Sequence, residues 1–336
     1  MKVSELGEFG LIDLIARTIK EGSMESPTGL ILGIGDDAAA WHCRGPVDLA
    51  TTDTMVDGVH FEGGQIGWDE LGWKSLAVNL SDIAAMGGSP AYALVTLGIP
   101  PNTMAEDIVL LYRGMLDIGN RFGVTIAGGD TVRCPVTMVT VSLFGTAKDG
   151  ASRMMTRSAA RPGDAIAVTG FLGSSAAGLM MLQQSLSFDP ETTAYLREAH
   201  FKPRPRISEG HKLAGAGVRC AIDISDGLVA DLTHVCERSG VGAMVIPGKV
   251  PVHPLLQAAF PAQSIDMALS GGEDYELLFT AGSGDIPRFR DLVSIPITVI
   301  GEITSDHPSK VVLVDKEGKA FDRSKNGWDH FSRAKG

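Results

Sequence analysis

The feature that most constrains this chain is an alternation of helical and extended apolar periodicity that recurs along its length. It is clearest from Ala105 to Phe122, where Ile108, Leu111, Tyr112, Met115, Ile118 and Phe122 fall on one helical face. Apolar runs bracket that helix, Ala91–Leu97 before it and Val124–Ala127 and Met138–Thr146 after it, and each reads as a strand. Upstream, the pattern predicts a helix over Glu8–Ile19, strands over Leu30–Gly33 and Val47–Thr52, and a helix over Asp69–Met86. Downstream come strand Ala165–Thr169, a helix from Ser174, a helix near Ser208–Ala216, strand Cys220–Ile222 and helix Leu228–Ser239. Strands Glu276–Thr280, Ile297–Ile300 and Val311–Val314 end the series. Such interleaving predicts an α+β or mixed α/β fold. At 336 residues two domains are expected. The turns Lys148-Asp149-Gly150 and Arg161-Pro162-Gly163-Asp164 mark the junction, giving domains 1–148 and 149–336.

Charge and cysteine usage narrow the function. A net charge of −11 argues against non-specific nucleic-acid binding, which needs a basic face. Four cysteines, Cys43, Cys134, Cys220 and Cys236, are widely spaced and form no CxxC pair, so reduced thiols in the cytosol are expected. The N-terminus carries Glu5, Glu8 and Asp13 where a signal peptide needs an apolar stretch. The uncharged stretch from Ala165 to Gln184 holds three glycines, two serines and a threonine, and reads as strand, turn and helix rather than a membrane span.

Two familiar nucleotide cradles fail on inspection. Gly33-Ile34-Gly35-Asp36-Asp37-Ala38 matches the dinucleotide pattern, with Asp53 twenty residues beyond Gly33. That fold needs a helix opening at the glycines, yet Gly45-Pro46 and the next strand arrive too soon for a crossover helix. Gly248-Lys249 lacks the upstream glycine of a P-loop, and Val250 stands where Ser or Thr is required. An ATP-using chain without either cradle must rely on metal ions to carry phosphate charge.

Six short motifs supply candidate metal ligands: Gly35-Asp36-Asp37, Thr51-Thr52-Asp53, Asn79-Leu80-Ser81-Asp82, Gly128-Gly129-Asp130, Asp223-Ile224-Ser225-Asp226-Gly227 and Gly271-Gly272-Glu273-Asp274. Most follow an apolar run, so their carboxylates are expected in turns at one edge of a sheet. Asp beside Gly is ordinary turn chemistry, and Asp82 taken alone reads equally as a solvated helix residue. However, apolar Leu80, Ile83, Ala84 and Ala85 surround Asp82, and a buried carboxylate needs a partner. Mg²⁺ takes one or two carboxylates plus phosphate oxygens and waters, so dispersed aspartates suit a multi-metal phosphate site. The ligands are not local in sequence, which excludes an EF-hand.

GIGDDAA, TTDTMVDGVHF, NLSDIAAMGG, AGGDT, RSAARPGD, DISDGL and SGGEDYELLF, in this order, closely resemble the thiamine-monophosphate kinase family. The resemblance spans nearly the whole chain, as far as Gly327-Trp328-Asp329-His330-Phe331. The GDD, GGD and DxSDG elements are shared across the wider aminoimidazole-ribonucleotide synthetase-like (PurM-like) superfamily. The resemblance implies a two-domain PurM-like fold, with the N-terminal domain forming a dimeric β-barrel-like interface and a C-terminal α/β domain completing the ATP and substrate site. It implies ATP-dependent phosphorylation of thiamine monophosphate to thiamine diphosphate, with several Mg²⁺ ions, in a cytoplasmic homodimer that binds neither nucleic acid nor membrane.

Residue by residue, it implies Mg²⁺ ligands at Asp36, Thr51, Thr52, Asp53, Asp82, Asp130, Asp223 and Asp226. Whether Asp36 or Asp37 ligates stays open. ATP contacts fall on Tyr112, Gly129, Asp130, Arg157 and Ser225, and thiamine contacts on His60, Glu273 and Trp328. Arg157, Asp130 and Asp82 are expected to be catalytic. Arg157 read alone is a surface arginine before a turn, and Trp328 a packing residue. The acceptor phosphate, with a second pKa of about 6, is a dianion at neutral pH and needs no general base. The alternatives are a ribonucleotide cyclising ligase, a selenophosphate synthetase, or a metal- and nucleotide-binding regulator without catalysis. The second needs an early reactive cysteine, and the first cysteine here is Cys43.

Overall fold

A computed structural model describes residues 1–23, 29–32, 34, 40–43, 45–147, 150, 153–315 and 319–320. The chain forms two compact units, Met1–Ile83 with Gly88–Ser152, and Ala84–Gly87 with Arg153–Gly336.

In chain order the first unit holds α1 (Val3–Gly22), β1 (Leu30–Leu32), β2 (Ala40–Trp41), β3 (Asp48–Val56), α2 (Trp68–Ala85), β4 (Ser89–Ile99), α3 (Ala105–Phe122), β5 (Thr125–Arg133) and β6 (Met138–Thr146). The last residues of α2 cluster with the second unit. Four strands form one mixed sheet in the order β3-β6-β4-β5, in which β4 and β5 run parallel. The strands alternate in burial: Val139, Val141 and Leu143 are fully buried on one face, and Thr140 and Ser142 are half-buried on the other. Helix α3 occupies the span that its periodicity predicts and buries Ile108, Leu111, Tyr112, Met115 and Ile118. It ends at Gly123, whose positive φ of 69° is a left-handed cap.

The second unit holds β7 (Asp164–Thr169), α4 (Ser174–Gln183), α5 (Pro190–Phe201), α6 (Ile207–Ala216), β8 (Cys220–Asp223), α7 (Leu228–Ser239) and β9 (Gly242–Val245). It continues through α8 (Pro254–Ala259), α9 (Ser264–Ser270), β10 (Leu277–Gly282), α10 (Ile286–Leu292), β11 (Ile297–Thr304) and β12 (Val311–Leu313). Its six strands order as β12-β9-β11-β7-β10-β8, and only the β12–β9 pair is parallel. Ile166, Val168, Ile222, Leu232, Val235, Leu278 and Ile300 form its core.

Several expectations need correction. The aspartates do not all sit in turns that follow strands. Asp53 lies inside β3, Asp82 inside α2, and Asp130 inside β5, which runs six residues past Ala127. Parallel pairing with β4 draws Gly128-Gly129-Asp130 into the ladder, against the turn preference of Gly and Asp. A Cβ on Gly129 would stand 1.8 Å from the Val95 carbonyl oxygen, so the glycine permits the close strand approach. Helix α5, β9, α8, α9 and α10 lie outside the elements expected from sequence. For α5 a start signal is visible: Asp189 caps the helix by accepting the Thr192 N–H at 3.0 Å, and Pro190 follows at its first turn.

Candidate active site

In the first unit, Thr51 and Asp53 alternate with Thr52 along β3 and so face the side of the sheet that buries Val141 and Val95. Asp82 comes to the same place from α2, where its Oδ2 accepts the Thr51 hydroxyl at 2.5 Å. Burial pushes Asp53 up to about 7, and the neighbouring Asp82 adds charge repulsion and a hydrogen bond with the same effect. Two half-buried carboxylates and a hydroxyl thus meet with a charge surplus that a hard cation would relieve. This donor set fits Mg²⁺, which needs few protein ligands when phosphate and water complete its shell. Among the described residues, no three His, Cys, Asp or Glu side chains gather into a metal cluster.

Asp130 is elsewhere. Thr54, Thr140, Thr96 and Asp130 form one row across the sheet, and this row lies on the opposite face from Asp53. Strands β3 and β5 are the two edges, so three strand spacings, about 14 Å, separate Asp53 from Asp130 within one chain. The exposed Asp130 accepts its neighbour's Thr131 N–H at 2.8 Å. Thr52 also faces the open side, with its hydroxyl 3.1 Å from Ser142 Oγ. The expectation that all these carboxylates share one sheet edge is therefore corrected by strand order. His60 follows β3 in a turn, and its Nδ1 accepts the Val56 N–H at 3.1 Å, which leaves the ring proton on Nε2. Tyr112 stands in the core at 3% exposure, and burial raises its phenol well above the ordinary value. Asp36, Asp37 and Trp328 lie outside the described residues.

The second unit builds its motifs at one end of three adjacent strands, β7, β10 and β8. Antiparallel register pairs Asp223 with Leu277, so the chain leaving β8 runs beside the chain entering β10. Backbone bonds continue beyond the ladder: Ile224 N–H to Glu276 O at 2.8 Å, Tyr275 N–H to Ile224 O at 2.9 Å, and Glu273 N–H to Ser225 O at 2.7 Å. A Cβ on Gly272 would lie 2.3 Å from the Ser225 carbonyl oxygen, so this contact requires glycine. Glu273 and Tyr275 flank Asp274 with φ of +66° and +52°, a left-handed backbone that non-glycine residues adopt only under constraint.

Asp274 of the Gly271–Asp274 motif and three side chains missed in the sequence supply that constraint. Asp274 accepts the Gly173 and Ser175 N–H groups at 2.6 and 3.2 Å, and burial pushes it up to about 7. Glu276 accepts from Thr169 Oγ1 at 2.6 Å and from both Nε and a terminal nitrogen of Arg206. His200, 3% exposed, has Nδ1 3.0 Å from Ser175 Oγ and 3.5 Å from Glu273 Oε2. Asp231 Oδ2 accepts the N–H groups of Ser225, Asp226 and Gly227, each at 3.1 Å. Burial pushes Asp231 up to about 8, with the charges of Asp223 and Asp226 adding to the effect. The signal for Asp231 was a carboxylate four residues past Gly227, at the start of a predicted helix. Arg157 is exposed in a turn, and its carbonyl oxygen accepts Ser239 Oγ at 2.9 Å.

Residues 35–147 match the family described as AIR synthase related protein, N-terminal domain, and residues 161–314 match its C-terminal domain. The thiamine-monophosphate kinase of Bacillus subtilis (strain 168) is 36% identical over 335 residues, covering 97% of this chain and 100% of that protein. The chain belongs to the thiamine-monophosphate kinase family. Among solved structures, the thiamine-monophosphate kinase from Stenotrophomonas maltophilia K279a aligns at a TM-score of 0.82 and 33% identity, covering 92% of this chain and 97% of that one. A second, described as AaThiL complexed with AMPPCP and TMP, aligns at 0.74 and 31% identity, covering 98% and 99%. Family membership carries the two-domain, mixed α/β PurM-like fold expected from the motifs, and both units described above conform to it.

Proposed function

We propose that this chain transfers the γ-phosphoryl group of ATP directly to thiamine monophosphate, giving thiamine diphosphate by in-line displacement without a phosphoenzyme. The observation that carries the reading is the Asp53–Asp82 pair with Thr51, a charge surplus built for a cation. Likeness over nearly the full length to a protein complexed with AMPPCP and TMP supports the choice of nucleotide and acceptor.

Asp36, Thr51, Thr52, Asp53, Asp82, Asp130, Asp223 and Asp226 are the proposed Mg²⁺ ligands. Bound there, Mg²⁺ neutralises phosphate charge, which is the main obstacle when two polyanions meet. Tyr112, Gly129, Asp130, Arg157 and Ser225 are assigned to ATP, with the Arg157 guanidinium able to fork onto phosphate oxygens. His60, Glu273 and Trp328 are assigned to thiamine, and an aromatic face suits the thiazolium cation. The acceptor dianion supplies its own nucleophile, so the chain needs to position and neutralise rather than abstract a proton.

Strand order supports a homodimer. Strands β3 and β5 are nine-residue sheet edges, long enough to pair with another chain. Pairing β5 of one protomer with β3 of a second copy would place the strand that bears Asp130 next to the partner's β3 and shorten the separation that one chain keeps. The four free thiols support a reducing cytoplasm. Among the described residues no helix is long and apolar enough to cross a membrane.

An assay coupling ADP release to thiamine diphosphate formation tests the proposal. Turnover should require thiamine monophosphate and stop when Mg²⁺ is chelated. Turnover with an aminoimidazole ribonucleotide precursor or selenide instead would move the chain to another branch of the superfamily.

A further inference from the structure

We infer that Asp231 is a positioning residue that holds the Asp223–Gly227 loop in its ligand-binding shape. The inference rests on the reading that Asp223, Ser225 and Asp226 serve Mg²⁺ and ATP. Asp231 is 2% exposed in the first turn of α7. One of its carboxylate oxygens accepts three successive backbone N–H groups, those of Ser225, Asp226 and Gly227. A single oxygen that gathers three consecutive amides fixes the backbone of that turn. It also turns the carbonyl of Ser225 outward, where it accepts the Glu273 N–H at 2.7 Å. Gly227, at φ +119°, completes the bend, and its absent Cβ leaves room for the Ser270 backbone 3.0 Å away. Asp231 thereby couples the side chains of Asp223, Ser225 and Asp226 to the segment that bears Glu273. Three amides held by one buried acceptor suit a loop that must keep its shape while carboxylates repel one another.

Two measurements test this. Hydrogen exchange on the ligand-free wild-type protein should show the amides of Ser225, Asp226 and Gly227 protected by about 100-fold or more over an open loop. Exchange at open-loop rates would overturn the proposal without any variant. Calorimetry with Mg²⁺ and AMPPCP then compares Asp231→Ala with Asp231→Asn. The alanine variant loses the acceptor and should bind about tenfold more weakly, whereas asparagine keeps an acceptor oxygen and should stay within about threefold of wild type. Alanine binding at wild-type strength, or asparagine as weak as alanine, would each refute a positioning role. If the variants do not fold, the exchange result decides. If wild-type protein binds no Mg²⁺–AMPPCP, the functional reading fails, while the exchange pattern still reports on Asp231.

Discussion

Asp53 and Asp82 approach one another because β3 and α2 hold them there, against their own repulsion. Burial and like charge both push Asp53 up, so the arrangement costs stability that a bound cation would restore. Asp53→Asn should therefore raise the melting temperature of the metal-free protein by about 2–4 °C, while abolishing most activity and the stabilisation by Mg²⁺. An unchanged melting temperature would mean that solvent already screens the pair. Asp274 makes a second residue-level case. Its folded pKa of about 7 lies above the ordinary 3.8, so between those values the folded state keeps a proton that the unfolded chain has lost. This contribution to stability is full below about pH 4 and is lost as pH rises through 7, with Asp53 and Asp231 acting in the same direction. Melting curves should show this decline, and Asp274→Asn should flatten it by up to about 1.4 kcal/mol per pH unit. An equal slope in the variant would show that Asp274 does not titrate as described.

At the scale of elements, the second unit's motifs act as a pair. The loop leaving β8 and the segment entering β10 share three backbone hydrogen bonds, and the pairing depends on Gly272. Gly272→Ala places a methyl group within 2.3 Å of the Ser225 carbonyl oxygen, so the two segments must separate. The expected outcome is a loss of about tenfold or more in turnover, with the melting temperature lowered by only a few degrees, since the core of this unit lies below the loops. Wild-type turnover in this variant would show that the two motifs work independently. Periodicity had already marked α2, α3 and α7, whose apolar faces are local properties. Strand β5 was legible only as far as Ala127. Beyond it, Gly-Gly-Asp has turn character, and pairing with β4 overrides that preference.

At the scale of the molecule, the β3-β6-β4-β5 order sets Asp53 and Asp130 on opposite edges, so the proposed shared site would need a second copy. Mixed dimers test this. Asp53→Asn and Asp130→Asn proteins should each be inactive, and dissociation and reassembly of an equal mixture should restore about a quarter of wild-type activity. Half of the dimers would be mixed, each with one intact site of two. No recovery, with exchange of subunits confirmed by mass, would place both aspartates in a site within one chain.

The amino-acid sequence alone determined which carboxylates this protein carries, their order, the helical faces and the family, because these depend on residue identity and short-range period. Only the tertiary structure decided which carboxylates meet. Strand side chains alternate with a period of two, so the face on which Asp53 or Asp130 stands follows from register, and their separation follows from strand order. Both are set by pairing between segments far apart in the chain. The roles of Asp231 and Asp274 likewise come from backbone amides that fold into reach.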